Sequence, residues 1–210
     1  MGKNPRVAGH AKVSGKAKVV GHAKVSGHAE VSGKAKVSGH ATVGDDAKVT
    51  GNAWIYGHAS VTDKAKVSDH AEVSGRATVS DKAAVSGHAE ISGKAAVSGK
   101  AAVSGDAEVA GCARICDEAW VSGGADIGGN AVVAYRAAIS DGAQLREPQH
   151  VQTLIDSEAD VIWTAYRTKH GGRSFMRDHE SIAEADTPAD LVAAADAAWQ
   201  HDGTGTPATS

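Results

Sequence analysis

Val13-Ser14-Gly15-Lys16-Ala17-Lys18 runs straight into Val19, and the same six-residue phrase returns along most of the chain. Stepping by six from Val7, every position as far as Leu145 is Val, Ile or Leu, an unbroken run of 24. Four residues after each of the first 23 stands Ala, and two residues after each stands Gly or Asp, with Tyr135 the one exception. A fixed short period of this kind outranks any local propensity, because it means that one structural unit is stacked on copies of itself.

The unit can be read residue by residue. Ala11-Lys12-Val13-Ser14 alternates small, polar, apolar, polar, the period-2 pattern of a strand with one buried side. Gly15-Lys16 then turns the chain, Gly or Asp supplying a backbone conformation that bulkier residues resist. A side of six residues is too short to carry its own hairpin, so successive coils are expected to pair in parallel. The core must be narrow: Ala and Val dominate it, Phe175 is the single phenylalanine, and 25 glycines are spread along the chain. A side chain larger than the repeated Ala should meet its neighbours above, below and across, an overpacking cost of about 1–3 kcal/mol.

An aliphatic residue, a small one four positions later and a Gly or Asp between them is a pattern that resembles the hexapeptide-repeat family over residues 7–145. The resemblance implies a mainly β fold, a left-handed parallel β-helix of triangular section with three hexapeptides per coil. Twenty-four hexapeptides divided by three give about eight coils, and a strand spacing of about 4.8 Å makes them a rod roughly 38 Å long. The chain departs from the family's pattern in that Ser usually follows the aliphatic residue, a change on an outward-facing position. The stretch from Trp163 to Gly172 resembles tails attached to hexapeptide arrays in uncharacterised bacterial and phage proteins, with acyltransferase members more distant.

Periodicity stops at Arg146-Glu147-Pro148. Residues 146–200 are expected to form a small α+β cap that also serves oligomerisation, with strands over Val151 to Ile155 and Val161 to Thr168. Asp156-Ser157-Glu158 and the stretch from Lys169 to Arg173 are read as turns. A helix is expected from Pro188, with Thr187 as N-cap and Leu191, Val192, Ala195, Ala198 and Trp199 on one face. Residues 201–210 are read as a disordered tail. A solenoid's open sheet edge invites aggregation unless covered, and this segment is the natural cover. Its helix could also lie on the apolar outward column of Ala84, Ala102, Trp120 and Ala138.

Charge is unevenly placed: residues 1–43 hold eight Lys or Arg against the single acid Glu30, and residues 44–210 hold 14 against 24. The basic stretch contains no aromatic residue for base stacking, which argues against specific nucleic-acid recognition. No apolar run approaches the roughly 20 residues of a membrane helix, so a cytoplasmic protein is expected, a virion component being the other setting. Cys112 and Cys116, four residues apart on an extended chain, would lie roughly 13 Å from each other, beyond reach of a disulfide. They are expected to be free thiols.

Many members of the resembling family are trimeric acyltransferases using coenzyme A, with a loop protruding from one coil and an inter-subunit His as general base. No insertion interrupts residues 7–145 here. The leading expectation is therefore a non-catalytic rod for self-assembly or partner display, with no cofactor. Its association would be a homotrimer through prism faces, or a head-to-tail array. The alternative is an acyltransferase in which His58, His70 or His88 is the base and coenzyme A carries the acyl group.

Two further constellations stand out. His22, His40 and His58 are 18 residues apart and should stack at one corner, where neutral imidazoles could ligate a metal or protonated ones repel. The plainer reading is preferred, because Lys, Asp, Asn and Arg fill the same turn slot elsewhere. Glu72, Glu90, Glu108 and Asp126 form a second column, read as a solvated acidic face in preference to a cation site. Trp54 and Tyr56 flank Ile55 on that same face, and with Trp120 they are the expected contact surface.

Overall fold

The computed structural model describes residues 5–140, 142–156, 159–170, 172–178, 180–184 and 187–199. The turn residues Ser157, Glu158 and Gly171 and the expected tail at 201–210 lie outside them. Twenty-four two-residue strands, β1 (Arg6–Val7) through β24 (Gln144–Leu145), follow one another every six residues. They assemble into three eight-stranded parallel sheets. Each strand pairs with the one 18 residues on, Val7 opposite Val25, Val13 opposite Val31 and Val19 opposite Val37. The result is a three-sided β-solenoid of about eight turns.

The core is what the repeat dictates. From Ala23 to Leu145 every repeated aliphatic residue and every repeated Ala is at most 2% exposed. Corners are hydrogen-bonded as well as sides: His10 N–H donates to the Gly27 carbonyl at 2.7 Å, and on a side Lys12 N–H donates to the Ala29 carbonyl at 2.8 Å. Because the backbones stack this closely, the turn residue has little room. Gly99 has φ +70, and a Cβ placed there would sit 2.5 Å from the Asp117 carbonyl oxygen. Asp81 (φ 58) and Tyr135 (φ 60) adopt the same left-handed conformation, Asp doing so more readily than most residues with a side chain.

The two ends differ. At the N-terminal end Arg6–Val7, Lys12–Val13 and Lys18–Val19 are edge strands, and the inward residues Val7 and Val13 remain 49% and 38% exposed. At the other end a short 3-10 turn, Pro148–His150, leads into an antiparallel sheet. Its strands are β25 (Val151–Asp156), β26 (Val161–Arg167), β27 (Arg173–Arg177) and β28 (Glu180–Ile182), in that order. Tyr166 and Met176 from this sheet pack into the solenoid core. The Tyr166 hydroxyl lies 3.0 Å from Ser140 Oγ, and Lys169 N–H donates to the Gly142 carbonyl at 2.7 Å.

Three expectations about this segment change. Two strands, β27 and β28, occupy a stretch where the sequence reading placed none. The helix, α1 (Ala189–Trp199), lies on β25 and β26, not on the outward column of Ala84, Ala102 and Trp120. Leu191 and Ala195 are buried there against Ala165 and Phe175. The first helical bonds run from Leu191 and Val192 N–H to the Pro188 carbonyl, and Thr187 donates its hydroxyl to the Ala183 carbonyl at 3.1 Å. The helix therefore starts one residue later than the Pro188 start expected. Ala138, at the end of that column, is fully buried, and its N–H donates to Thr164 Oγ1 at 3.4 Å.

Candidate functional site

Since strand i always meets strand i+18 in register, every outward position belongs to a column running along the rod. One face carries Lys18, Lys36, Trp54, Glu72, Glu90, Glu108 and Asp126 in a single column. Glu72 stands directly beside Trp54 and Glu90, as the spacing predicts. The Trp54 and Tyr56 rings stack at 4.2 Å between centroids, 29° apart in plane. Lys36 Nζ sits over the indole at 4.6 Å, a cation–π contact. Trp54 Nε1 donates to Ser38 Oγ at 3.0 Å, and the Tyr56 hydroxyl to Glu72 Oε2 at 3.3 Å.

These contacts bind coils together and keep two aromatic rings half-buried on an otherwise charged surface. The carboxylates beyond them are not equivalent. Asp126 is held by Arg146, whose Nη1 donates to Oδ1 at 2.9 Å and whose Nη2 pairs with Oδ2. Glu90 and Glu108 are exposed. Trp120, grouped with Trp54 and Tyr56 in the sequence reading, lies on a different sheet between Ala102 and Ala138.

The histidines stack as their spacing predicts. His22, His40 and His58 form a column with ring centroids 4.6 and 4.9 Å apart and interplanar angles of 6° and 8°. His70 and His88 stack at 4.8 Å on another corner. Parallel rings present their nitrogens side by side and do not converge them on one point. Among the described residues no group of three or more His, Cys, Asp or Glu is gathered to hold a metal ion. Of the three histidines considered as a base, His70 and His88 come together and His58 stands apart. His88 Nδ1 lies 3.6 Å from Asp106 Oδ1, and His70 Nε2 lies 3.1 Å from Asn52 Nδ2.

A third corner carries Asp45, Asp63 and Asp81 alternating with Lys64, Lys82 and Lys100 along a shallow, open groove. Its carboxylates are engaged with backbone N–H groups of the next coil. Lys100 also pairs with Glu118, and this hydrogen bond and its charge hold the Glu118 carboxyl below its ordinary value. The sequence reading noted Gly or Asp here only as a turn former, and the period-18 recurrence of Asp was the available signal. His150, which nothing in the sequence singled out, is buried and accepts the Arg146 N–H at Nδ1, 3.0 Å away.

Comparison with known protein families, with curated proteins and with solved structures returns no match to this chain. Among the described residues no helix is long and apolar enough to cross a membrane.

Proposed function

We propose that this chain is a non-catalytic rod whose flat faces display surfaces for self-association or for a partner. The observation that carries the reading is the uninterrupted repeat. Twenty-four strands succeed one another every six residues, and among the described residues no loop rises from the solenoid of the kind that encloses a substrate and excludes water in many catalytic sites. What the surface offers is columns: charges, stacked rings and small apolar residues in register over many coils. Such repetition suits a contact made along a length.

Light-scattering molar mass across a range of protein concentrations, with electron microscopy of the same samples, tests the proposal. Discrete oligomers or growing filaments support it. A monomer at every concentration counts against self-association and leaves partner display to be sought by other means. Edge-to-edge stacking in a head-to-tail array is disfavoured, because Tyr166 and Met176 occupy the C-terminal end of the core.

Acyl transfer is the second reading, and one feature favours it: His88 stands with the Asp106 carboxylate 3.6 Å from Nδ1, near enough to favour a ring that takes up a proton. Calorimetric titration with acetyl-coenzyme A, before and after His88→Gln, distinguishes this reading from the first.

A further inference from the structure

The face bearing Trp54 is self-complementary. Along the rod its outward residues Lys18, Lys36, Trp54, Glu72, Glu90 and Glu108 form six consecutive rungs, each paired in register with the next. Both cations stand at one end, both exposed acids at the other, and the aromatic rung and its hydrogen-bonded Glu72 in the middle. A second copy can be turned end for end about a two-fold axis between the third and fourth rungs. Lys18 then meets the copy's Glu108, Lys36 meets its Glu90, and Trp54 meets its Glu72. All three matches occur twice, once on each side of the axis.

From this pattern we infer that two copies of the chain associate face to face and antiparallel through this sheet. The inference rests on the self-associating rod proposed above and names its partner, face and register.

Three observations single out this arrangement. A parallel pairing of the same faces would set lysine on lysine and glutamate on glutamate, which the antiparallel one avoids. Neither other face can pair with itself in this way. One carries Lys12, Lys48 and Lys66 with a lone Glu30, already bonded to Lys48 at 3.2 Å. The other carries Arg6, Lys24 and Arg114 with no outward carboxylate on its strands. Finally, Asp126, the acid one rung beyond the pattern, is held by Arg146 within its own chain.

The centre of the contact has the composition of an anchor. Trp54 and Tyr56 of one copy and the same two residues of the other fall on adjacent rungs beside the axis, and aromatic residues near an interface centre carry much of the binding. The charged ends supply register and orientation more than affinity. Isologous two-fold contacts are also the commonest way for identical chains to associate. A three-fold arrangement would place different faces side by side and parallel, leaving Glu90 and Glu108 opposite Ala84 and Ala102 of the lysine-bearing face.

Charge swapping tests the pairing on the full chain. Lys18→Glu with Lys36→Glu makes the face wholly acidic, and Glu90→Lys with Glu108→Lys makes it predominantly basic. All four positions are exposed, so folding should persist and is checked by circular dichroism. Sedimentation equilibrium should show a dimer for the unmodified chain and a dissociation constant on the order of a hundredfold weaker for each variant alone. An equimolar mixture of the two should restore a one-to-one dimer, since lysines of one variant then face glutamates of the other. If the unmodified chain associates and each variant alone does so equally well, this face is not the contact, and the rod proposal survives without it. A trimer, or a mixture that fails to recover, likewise excludes the pairing while leaving the rod. A monomeric unmodified chain overturns self-association itself, and the pairing with it.

Discussion

Asp81 Oδ2 accepts a hydrogen bond from the N–H of Gly99, its counterpart one coil further on, at 3.0 Å. Asp63 does the same for Asp81 at 3.3 Å, and Asp45 for Asp63 at 3.4 Å. Asp117 holds the N–H of Tyr135 at 2.9 Å on the same corner. Aspartate at the turn thus performs two tasks, of which glycine manages only the first: it tolerates a left-handed backbone and it ties adjacent coils.

Three substitutions at Asp81 separate those tasks. Asp81→Gly keeps the backbone and loses the bond, worth about 1 kcal/mol. Asp81→Ala loses the bond and adds the strain of a left-handed Ala, roughly 1–2 kcal/mol more. Asp81→Asn keeps both a tolerant backbone and an acceptor. Thermal midpoints should fall in the order Asp, Asn, Gly, Ala; an Ala variant as stable as the Gly variant would remove the conformational half of the argument.

Ala77 is fully buried and Lys66 lies exposed, the one an inward and the other an outward position of the repeating pattern. Ala77→Leu must push new methyl groups into a packed prism, costing about 1–3 kcal/mol or more, whereas Lys66→Leu changes only the surface. Melting curves of the two variants should differ by several degrees, with Ala77→Leu the lower. Equal midpoints would mean that the prism has room that its packing does not show.

How much of this was legible beforehand follows from where the repeat runs. The strands from Arg6 to Leu145, their parallel pairing, the inward Ala and Val and the stacking of His22 on His40 all descend from one period, and arithmetic recovers them. Past Leu145 no period exists, and local pattern was the only guide. Val161 to Thr168 reads as a strand, and its β-branched and aromatic residues, Val161, Ile162, Trp163 and Tyr166, carry that reading although they do not alternate. Arg173–Arg177 places Phe175 and Met176 side by side, both buried, one towards the helix and one into the solenoid end. A strand buried on both faces loses the alternation by which a strand is recognised. The Asp81 to Gly99 bond and the Lys36, Trp54, Tyr56 and Glu72 chain were out of reach for another reason. The sequence shows which residues share a column but not the rotamers that join them.

Replacing a corner glycine costs most where the next coil's backbone lies closest, although Asp81 and Asp117 show that other coils of the same corner accommodate a Cβ. Gly99→Ala would place a Cβ 2.5 Å from the Asp117 carbonyl oxygen at φ +70, so coils must separate locally and the midpoint should drop sharply. Gly44 has no such φ, and the nearest atom to its added Cβ is Ser26 Oγ at 3.6 Å. Gly44→Ala should be neutral or raise stability by about 0.4–1 kcal/mol through the unfolded chain. Urea melts of the two variants, run side by side, decide whether backbone stacking is the constraint.

Tyr166 closes the C-terminal end of the core, 1% exposed, with its hydroxyl against Ser140 Oγ. Tyr166→Phe should cost about 1 kcal/mol for the lost bond. Tyr166→Ala should cost about 3–5 kcal/mol, as large aromatic truncations do, and should uncover the end of the core beneath it. Hydrogen exchange followed by mass spectrometry should then show the last coils losing protection while coils near Ala77 keep theirs. Uniform loss along the rod would show instead that the solenoid opens as one unit.

Cys112 is exposed and Cys116 partly covered, and their reactivity should differ more than their accessibility does. Burial pushes the Cys116 thiol up, the Asp117 charge and hydrogen bond push it further, and Arg114 opposes them. The thiolate is the nucleophile, so a raised value leaves less of it at neutral pH. Iodoacetamide at about pH 7.5, roughly one unit below an ordinary thiol's value, should label Cys112 first, and labelling of Cys116 should accelerate as pH rises past that range. Asp117→Asn removes the charge while leaving an acceptor for the Tyr135 N–H, and should shift the Cys116 labelling profile to lower pH without a loss of stability. Peptide-resolved mass spectrometry reads both sites in one sample. An unchanged Cys116 profile in the Asn variant would leave burial as the sole cause of its slow reaction.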